Sequence, residues 1–103
     1  MEQTARIERW IDRRQAPRFR LGLPARLITL GKHLDVMLED LSEGGARVTL
    51  PELHTFPVCV LKWMDHHAFA EVRWMHERAV GLQFASPIAA MTLEQTVRYA
   101  PGS

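Results

Sequence analysis

The feature that most constrains this chain is a two-residue alternation of apolar and polar side chains, repeated in short bursts between residues 21 and 84. Strict alternation places one set of side chains on each face of a pleated strand, so it predicts half-buried strands rather than helices. Leu23, Ala25, Leu27 and Thr29 alternate with Pro24, Arg26, Ile28 and Leu30, and Gly31-Lys32 reads as the following turn. Leu34, Val36 and Leu38 alternate with Asp35, Met37 and Glu39. After a turn-rich segment at residues 40–45, Ala46, Val48 and Leu50 alternate with Arg47 and Thr49, and Pro51 ends the run. Residues 56–64 place Val58, Val60 and Lys62 on one face and Cys59, Leu61 and Trp63 on the other. Asp65-His66-His67 reads as a link to a strand at 68–74, and His76-Glu77-Arg78 as a link to a strand at 79–84. About six short strands at intervals of about ten residues predict an all-β fold, a closed or nearly closed six-stranded antiparallel β-barrel.

The ends differ. Ile7, Trp10 and Ile11 recur at the spacing of one helical face among charged residues, which predicts a short surface helix over 4–14. Gln15-Ala16-Pro17 breaks that pattern, because proline lacks an amide donor and pushes its predecessor toward extended backbone. Residues 14–20 therefore read as an extended arm. The C-terminal segment reads as a helix, with Ser86-Pro87 offered as its start and Thr92…Gln95 as a capping box, before a frayed tail at 100–103. The organisation expected is an N-terminal helical extension at 1–12 and a single domain at 13–103 that includes the C-terminal helix. A chain of 103 residues is long enough for one hydrophobic core and too short for two comfortable ones.

Charge is unevenly spread. Residues 1–26 hold seven arginines against three acidic residues, whereas 27–103 hold six basic and nine acidic residues. The excess at one end points to an anionic partner there. Apolar runs are far shorter than a membrane span needs, and the first residues lack the apolar stretch of a secretory signal, so no membrane insertion is expected. The single cysteine, Cys59, cannot form an intrachain disulfide and sits in an apolar run, which fits a reducing, cytoplasmic setting.

Two segments carry chemistry. Arg13-Arg14-Gln15-Ala16-Pro17-Arg18 contains an Arg-x-x-x-Arg pattern, and Asp40-Leu41-Ser42-Glu43-Gly44-Gly45 an Asp-x-Ser-x-x-Gly pattern. Guanidinium groups offer planar paired donors that match a phosphate or the O6/N7 edge of guanine. Asp40 can accept from the N–H groups of a base, and Ser42 can donate to a phosphate or close the turn. Gly44 and Gly45 free the backbone for positive φ or for close approach of a ligand. Donors for anionic oxygens and acceptors for base N–H groups on facing elements suit a nucleotide. Taken singly, the arm also reads as a solvated charged linker and the turn as an ordinary Asx or Ser turn.

Together and in this order, the two segments resemble the PilZ domain family. Arg18-Phe19, the run from Leu23 to Leu27, and Gly81-Leu82-Gln83-Phe84 as the last barrel strand agree with it, and the resemblance covers roughly residues 13–86. It implies a six-stranded barrel that binds cyclic di-GMP, often as a stacked pair of ligand molecules, with the arginine arm wrapped over the ligand. By that resemblance Arg14 and Arg18 contact guanine edges and phosphates, and Arg13 is a further phosphate contact. Asp40 and Ser42 hydrogen-bond a guanine and position the turn, while Gly44 and Gly45 leave room for it. Binding would reorder the arm, and a downstream protein would read the change. The chain is then a stand-alone receptor or adaptor rather than an enzyme. The alternative is a PilZ-like barrel that docks to a protein without ligand.

Other chemistries are less well served. His33, His54, His66, His67 and His76 show no paired ligand spacing, so no metal is expected. Ser42 and Cys59 lack a nucleophile-elbow context, so no catalytic residue is assigned. Trp63 and Trp74 alternate onto barrel faces and read as core before ligand platforms, while either could stack on a base where it faces outward. A DNA or RNA partner is not expected, because the basic residues cluster in one arm rather than along a groove lined with aromatics.

Overall fold

A computed structural model gives the structure, which describes residues 17–100. The predicted helix over 4–14, and with it Arg13 and Arg14, lies outside the described residues.

Six strands close into an antiparallel barrel: β1 (Phe19–Thr29), β2 (Lys32–Leu41), β3 (Gly45–Thr49), β4 (Val58–Trp63), β5 (His66–His76) and β6 (Ala79–Phe84), in the order β1-β2-β3-β6-β5-β4. One helix follows, α1 (Ala90–Tyr99). The fold expected from the alternation is the fold observed. Inward positions alternate as read: Leu27, Leu34, Val36, Leu38, Val48, Cys59, Leu61 and Trp63 are all buried in one cluster, joined by Val80, Leu82 and Phe84 from β6.

The turns depart from the reading in instructive ways. The β1–β2 hairpin turns on Leu30-Gly31, not Gly31-Lys32, with both residues at positive φ (48° and 77°) and Thr29 paired with Lys32. That is the primed two-residue turn whose twist matches a right-twisted hairpin. The β4–β5 and β5–β6 connections are equally tight, Met64-Asp65 and Glu77-Arg78, with Met64 and Glu77 at positive φ. His66, His67 and His76 consequently lie within β5 rather than in loops, and β5 reaches well past both ends of the predicted 68–74. Leucine, methionine and glutamate carry no turn signature, so tertiary pairing sets these turns against local preference. β1 begins at Phe19, so Arg20 is a strand residue rather than part of an arm.

The C-terminal helix starts later than expected. Its N-cap is Ala89, which offers no side-chain cap; Ser86 and Pro87 lie in the preceding segment and Thr92 lies inside the helix. What holds α1 is its contact with the barrel. The buried Trp63 indole Nε1 donates to Thr96 Oγ1 at 2.8 Å, and that hydroxyl donates to the Thr92 carbonyl at 2.8 Å. Trp63 also stacks on Phe84, ring centroids 6.3 Å apart. Leu93 is buried with the core, and Ala100, expected to fray, is buried as well.

Cys59 is buried on the inner face of β4, and burial pushes its thiol up to about 11 from an ordinary 9.0. A group raised on folding stabilises the fold below its unfolded pKa, and that contribution is lost as pH climbs through the folded one. The stability difference between the wild type and Cys59→Ala should be constant below pH 9 and shrink between 9 and 11. Denaturant titrations at several pH values read it directly; a difference unchanged up to pH 11 refutes it.

Candidate functional site

The Asp40–Gly45 turn is built by backbone bonds on both sides. The Ser42 amide donates to the Gly45 carbonyl at 2.9 Å, and the Ser42 hydroxyl donates to the same oxygen at 3.3 Å. Ser42 is buried, so its hydroxyl closes the turn as one of its expected roles required. The Gly44 carbonyl accepts from the Phe84 amide, and the Glu43 carbonyl accepts from the Ile88 amide, each at 2.9 Å. The turn is thereby pinned to β6 and to the segment that leads to α1.

Neither glycine of the turn takes a positive φ, which corrects one of the two reasons offered for them. Gly45 is needed for close approach: a Cβ there would collide with the Leu82 carbonyl on β6, next to Gly45's own ladder partner Gln83. Gly44 faces open space.

Asp40 reaches the outer wall through an irregularity. Continued alternation from Leu34, Val36 and Leu38 would point residue 40 inward. The β2–β3 register shifts between Leu38 and Asp40, so Glu39 is an extra residue, Leu41 turns into the core and Asp40 turns out. Bulges re-aim side chains in this way. β5 repeats the device: its register with β6 shifts between Val72 and Trp74, which turns Trp74 outward. Trp74 is 46% exposed, so of its two readings it takes the outward one rather than core.

These shifts align a row across the outer wall. Arg20 pairs with Asp40, Asp40 with Arg47, Arg47 with Gly81, and Gly81 with Trp74. Gly81 has no side chain to interrupt the row, and the Trp74 indole lies over it so closely that a Cβ at 81 would overlap the ring. Gly81→Ala should therefore push the indole off the wall. The Trp74 indole N–H resonance should shift while the Trp63 resonance stays put; an unmoved Trp74 signal counts against this packing.

Asp40 sits between two guanidinium groups. Arg18 donates from Nη1 to Asp40 Oδ1 at 3.0 Å, and Arg47 Nε stands 3.4 Å from Oδ2. Asp40 is only 14% exposed, whereas Arg18 is 61% exposed. Exposed ion pairs contribute about 0–1 kcal/mol, so the Arg18 contact orients the arm's end without locking it. Arg18 keeps most of its donors free for another acceptor.

Around this row lies an open cleft of about 930 Å³, lined by Arg18, Asp40, Ser42, Gly44, Gly45 and Arg47 from the first three strands and their turns. Arg73, Trp74, Gly81 and Gln83 complete it from β5 and β6. Every described residue expected at the site is thus in one cleft. Arg47, Arg73 and Gln83 were missed, and Trp74 was named only on condition that it face outward: Arg47 was legible as an outward residue one strand from Asp40, but the β5 bulge hid which way Arg73 and Trp74 face. Three guanidinium groups against one carboxylate make the cleft attractive to an anion, and the exposed indole adds an apolar plane. Its size is in the range of small-ligand sites.

Other features carry less. Among the described residues no three histidine, cysteine or acidic side chains gather in a metal-binding group. No helix among the described residues is long and apolar enough to cross a membrane. No curated protein matches the chain significantly. The PilZ domain model matches residues 12–100, which takes in the arm, every strand and α1. With a closed six-stranded barrel, an Asp-x-Ser-x-x-Gly turn facing Arg18 across one cleft, and that match over most of its length, the chain belongs to the PilZ domain family.

Proposed function

We propose that this chain is a receptor for cyclic di-GMP, the ligand the PilZ family is known by, and that it holds the ligand in the cleft around Asp40. The observation that carries the reading is the convergence of Arg18, Asp40 and Arg47 in a cleft that also contains Arg73 and Trp74. Cyclic di-GMP brings two phosphodiesters and two guanines. The phosphodiesters need cationic donors, which Arg18, Arg47 and Arg73 supply as planar forks. A guanine edge offers O6 and N7 to a guanidinium group, and its N–H groups to a carboxylate such as Asp40. The exposed indole of Trp74 gives a purine ring a face to stack on.

Within this reading Ser42 keeps the turn in shape and can share its hydroxyl with the ligand, while Gly45 brings β3 against β6 so that the wall is flat enough for a ring. Arg13 and Arg14 add further phosphate and guanine contacts from the arm. Arg18 exchanges Asp40 for the ligand, a weak exposed pair for stronger, more buried ones. The arm closes as a result, and a downstream protein reads the closed arm. The chain acts as a binding and adaptor domain in the cytoplasm of a bacterium, with no catalytic step.

Isothermal titration calorimetry with cyclic di-GMP tests this directly. Saturable heat is expected, and its stoichiometry tells whether one ligand molecule or a stacked pair is held. A folded protein giving no heat up to about 100 μM ligand, weaker than about 5 kcal/mol of binding, would reject the receptor reading in favour of a ligand-independent interaction module.

A further inference from the structure

The wall made by β1, β4 and β5 carries an apolar row. Ile28 pairs with Val60, and Val60 with Phe69, all three pointing out of the barrel. Phe69 is 65% exposed, an unusual position for a phenyl ring on a strand. The row runs into a second cleft, of about 460 Å³, lined by Phe69, by Pro87 and Ile88 from the segment before α1, and by Asp65. Two residues along each strand, a second row runs parallel to the first: Arg26 pairs with Lys62, and Lys62 with His67. Lys62 makes no ion pair with a described residue, and Arg26 has only the exposed Asp35, at 3.6 Å.

We propose that this wall is a docking surface for an amphipathic helix of a partner protein, one with an apolar stripe and aspartate or glutamate along its flank. At this point each strand is already paired on both sides: Ile28 with His33 and Val60, Val60 with Ile28 and Phe69, and the Phe69 carbonyl with the Ala85 amide. An incoming strand therefore finds no edge, and the occupant must pack by its side chains. Neighbouring strands lie about 4.8 Å apart, close to the 5.4 Å rise of one helical turn. A helix laid across the strands sets one apolar residue per turn over Ile28, Val60 and Phe69 in succession. The basic row lies about 7 Å to one side, where the helix flank falls. With Arg26 and Lys62 against Asp35 alone, that row is net positive and favours acidic side chains, whereas the opposite flank carries Glu71. The chain's own first sixteen residues carry four arginines against three acidic residues and are the wrong sign for it. The row of Ile28, Val60 and Phe69 uses none of the residues that line the Asp40 cleft, and the two clefts border each other at Ala85 and Pro87.

The test uses the full chain, labelled with nitrogen-15, and two synthetic helical peptides of about 14 residues, roughly four turns. Both carry leucines on one face; one has glutamates along the flank and the other lysines. The glutamate peptide should bind saturably with micromolar affinity, shift the amides of Val60, Lys62 and Phe69, and lose about tenfold in affinity with Phe69→Ser or with Arg26→Glu combined with Lys62→Glu. A dispersed spectrum shows that each variant is folded. Equal binding of both peptides, or shifts that map elsewhere, or no saturable shift, overturns the proposal. So does a dimer in sedimentation that Phe69→Ser dissolves, which assigns the face to a second copy. Binding of a peptide of residues 1–16 to the same amides likewise assigns it to the chain's own terminus.

Discussion

Trp63→Ala should destabilise the protein by about 3–5 kcal/mol, the range for emptying a large aromatic site in a core. For a domain of this size that is a large share of the total, and the melting temperature should fall by at least about 15 °C. Trp63 closes the barrel against Phe84 and carries the hydrogen bond that holds α1. Its removal opens a cavity and frees the helix together. Thr96→Val separates the two effects, because it keeps the volume and leaves the buried indole N–H without a partner. That change should cost about 1–3 kcal/mol. Chemical denaturation of the three proteins gives the comparison. A loss below about 1 kcal/mol for Trp63→Ala would mean that α1 and the tryptophan are peripheral to the cooperative unit.

Arg18→Ala should weaken cyclic di-GMP binding by about a hundredfold or more, the loss expected when a bidentate, charge-assisted contact disappears. Stability should change little, since Arg18 is mostly exposed and its one ion pair is of the weak surface kind. Arg18→Lys should fall between the two, because a lysine keeps the charge and lacks the planar fork. Arg26→Ala, on the opposite wall, serves as the charge control and should leave affinity within about twofold. Calorimetry on the four proteins decides it. An Arg18→Ala protein that binds as the wild type does would remove Arg18 from the site and leave the described part of the reading to Asp40, Arg47, Arg73 and Trp74.

The barrel was legible in the sequence wherever alternation ran unbroken. Leu23 to Thr29, Leu34 to Leu38 and Cys59 to Trp63 each set the inner face without ambiguity. Alternation failed at Glu39 and at Arg73, where one extra residue reverses the phase, and these are the places that deliver Asp40 and Trp74 to the cleft. Asp40 was found because a motif marked it; Trp74 had no such mark, and alternation alone left open which face it takes. The tight turns were missed for a different reason. Leu30, Met64 and Glu77 adopt positive φ because the flanking ladders leave only two residues to cross, a constraint that is not local to the turn. The start of α1 was misjudged because its capping signals were read without the Trp63–Thr96 contact that fixes where the helix lies.

The barrel is two three-stranded meanders, β1-β2-β3 and β4-β5-β6, zipped together along two unequal seams. One seam joins β3 to β6 along the whole of β3, from Gly45 to Thr49. The other joins β1 to β4 only at Arg26, Leu27 and Ile28. The shorter seam has fewer backbone pairs to part, and there Thr29 Oγ1 adds a hydrogen bond to the Val58 carbonyl at 2.7 Å. The Asp40 cleft straddles the longer one, with Asp40 and Arg47 on the first meander and Gly81 and Trp74 on the second. A molecule held there would rivet the two halves along the seam that already has more backbone pairs, and would add nothing to the shorter one.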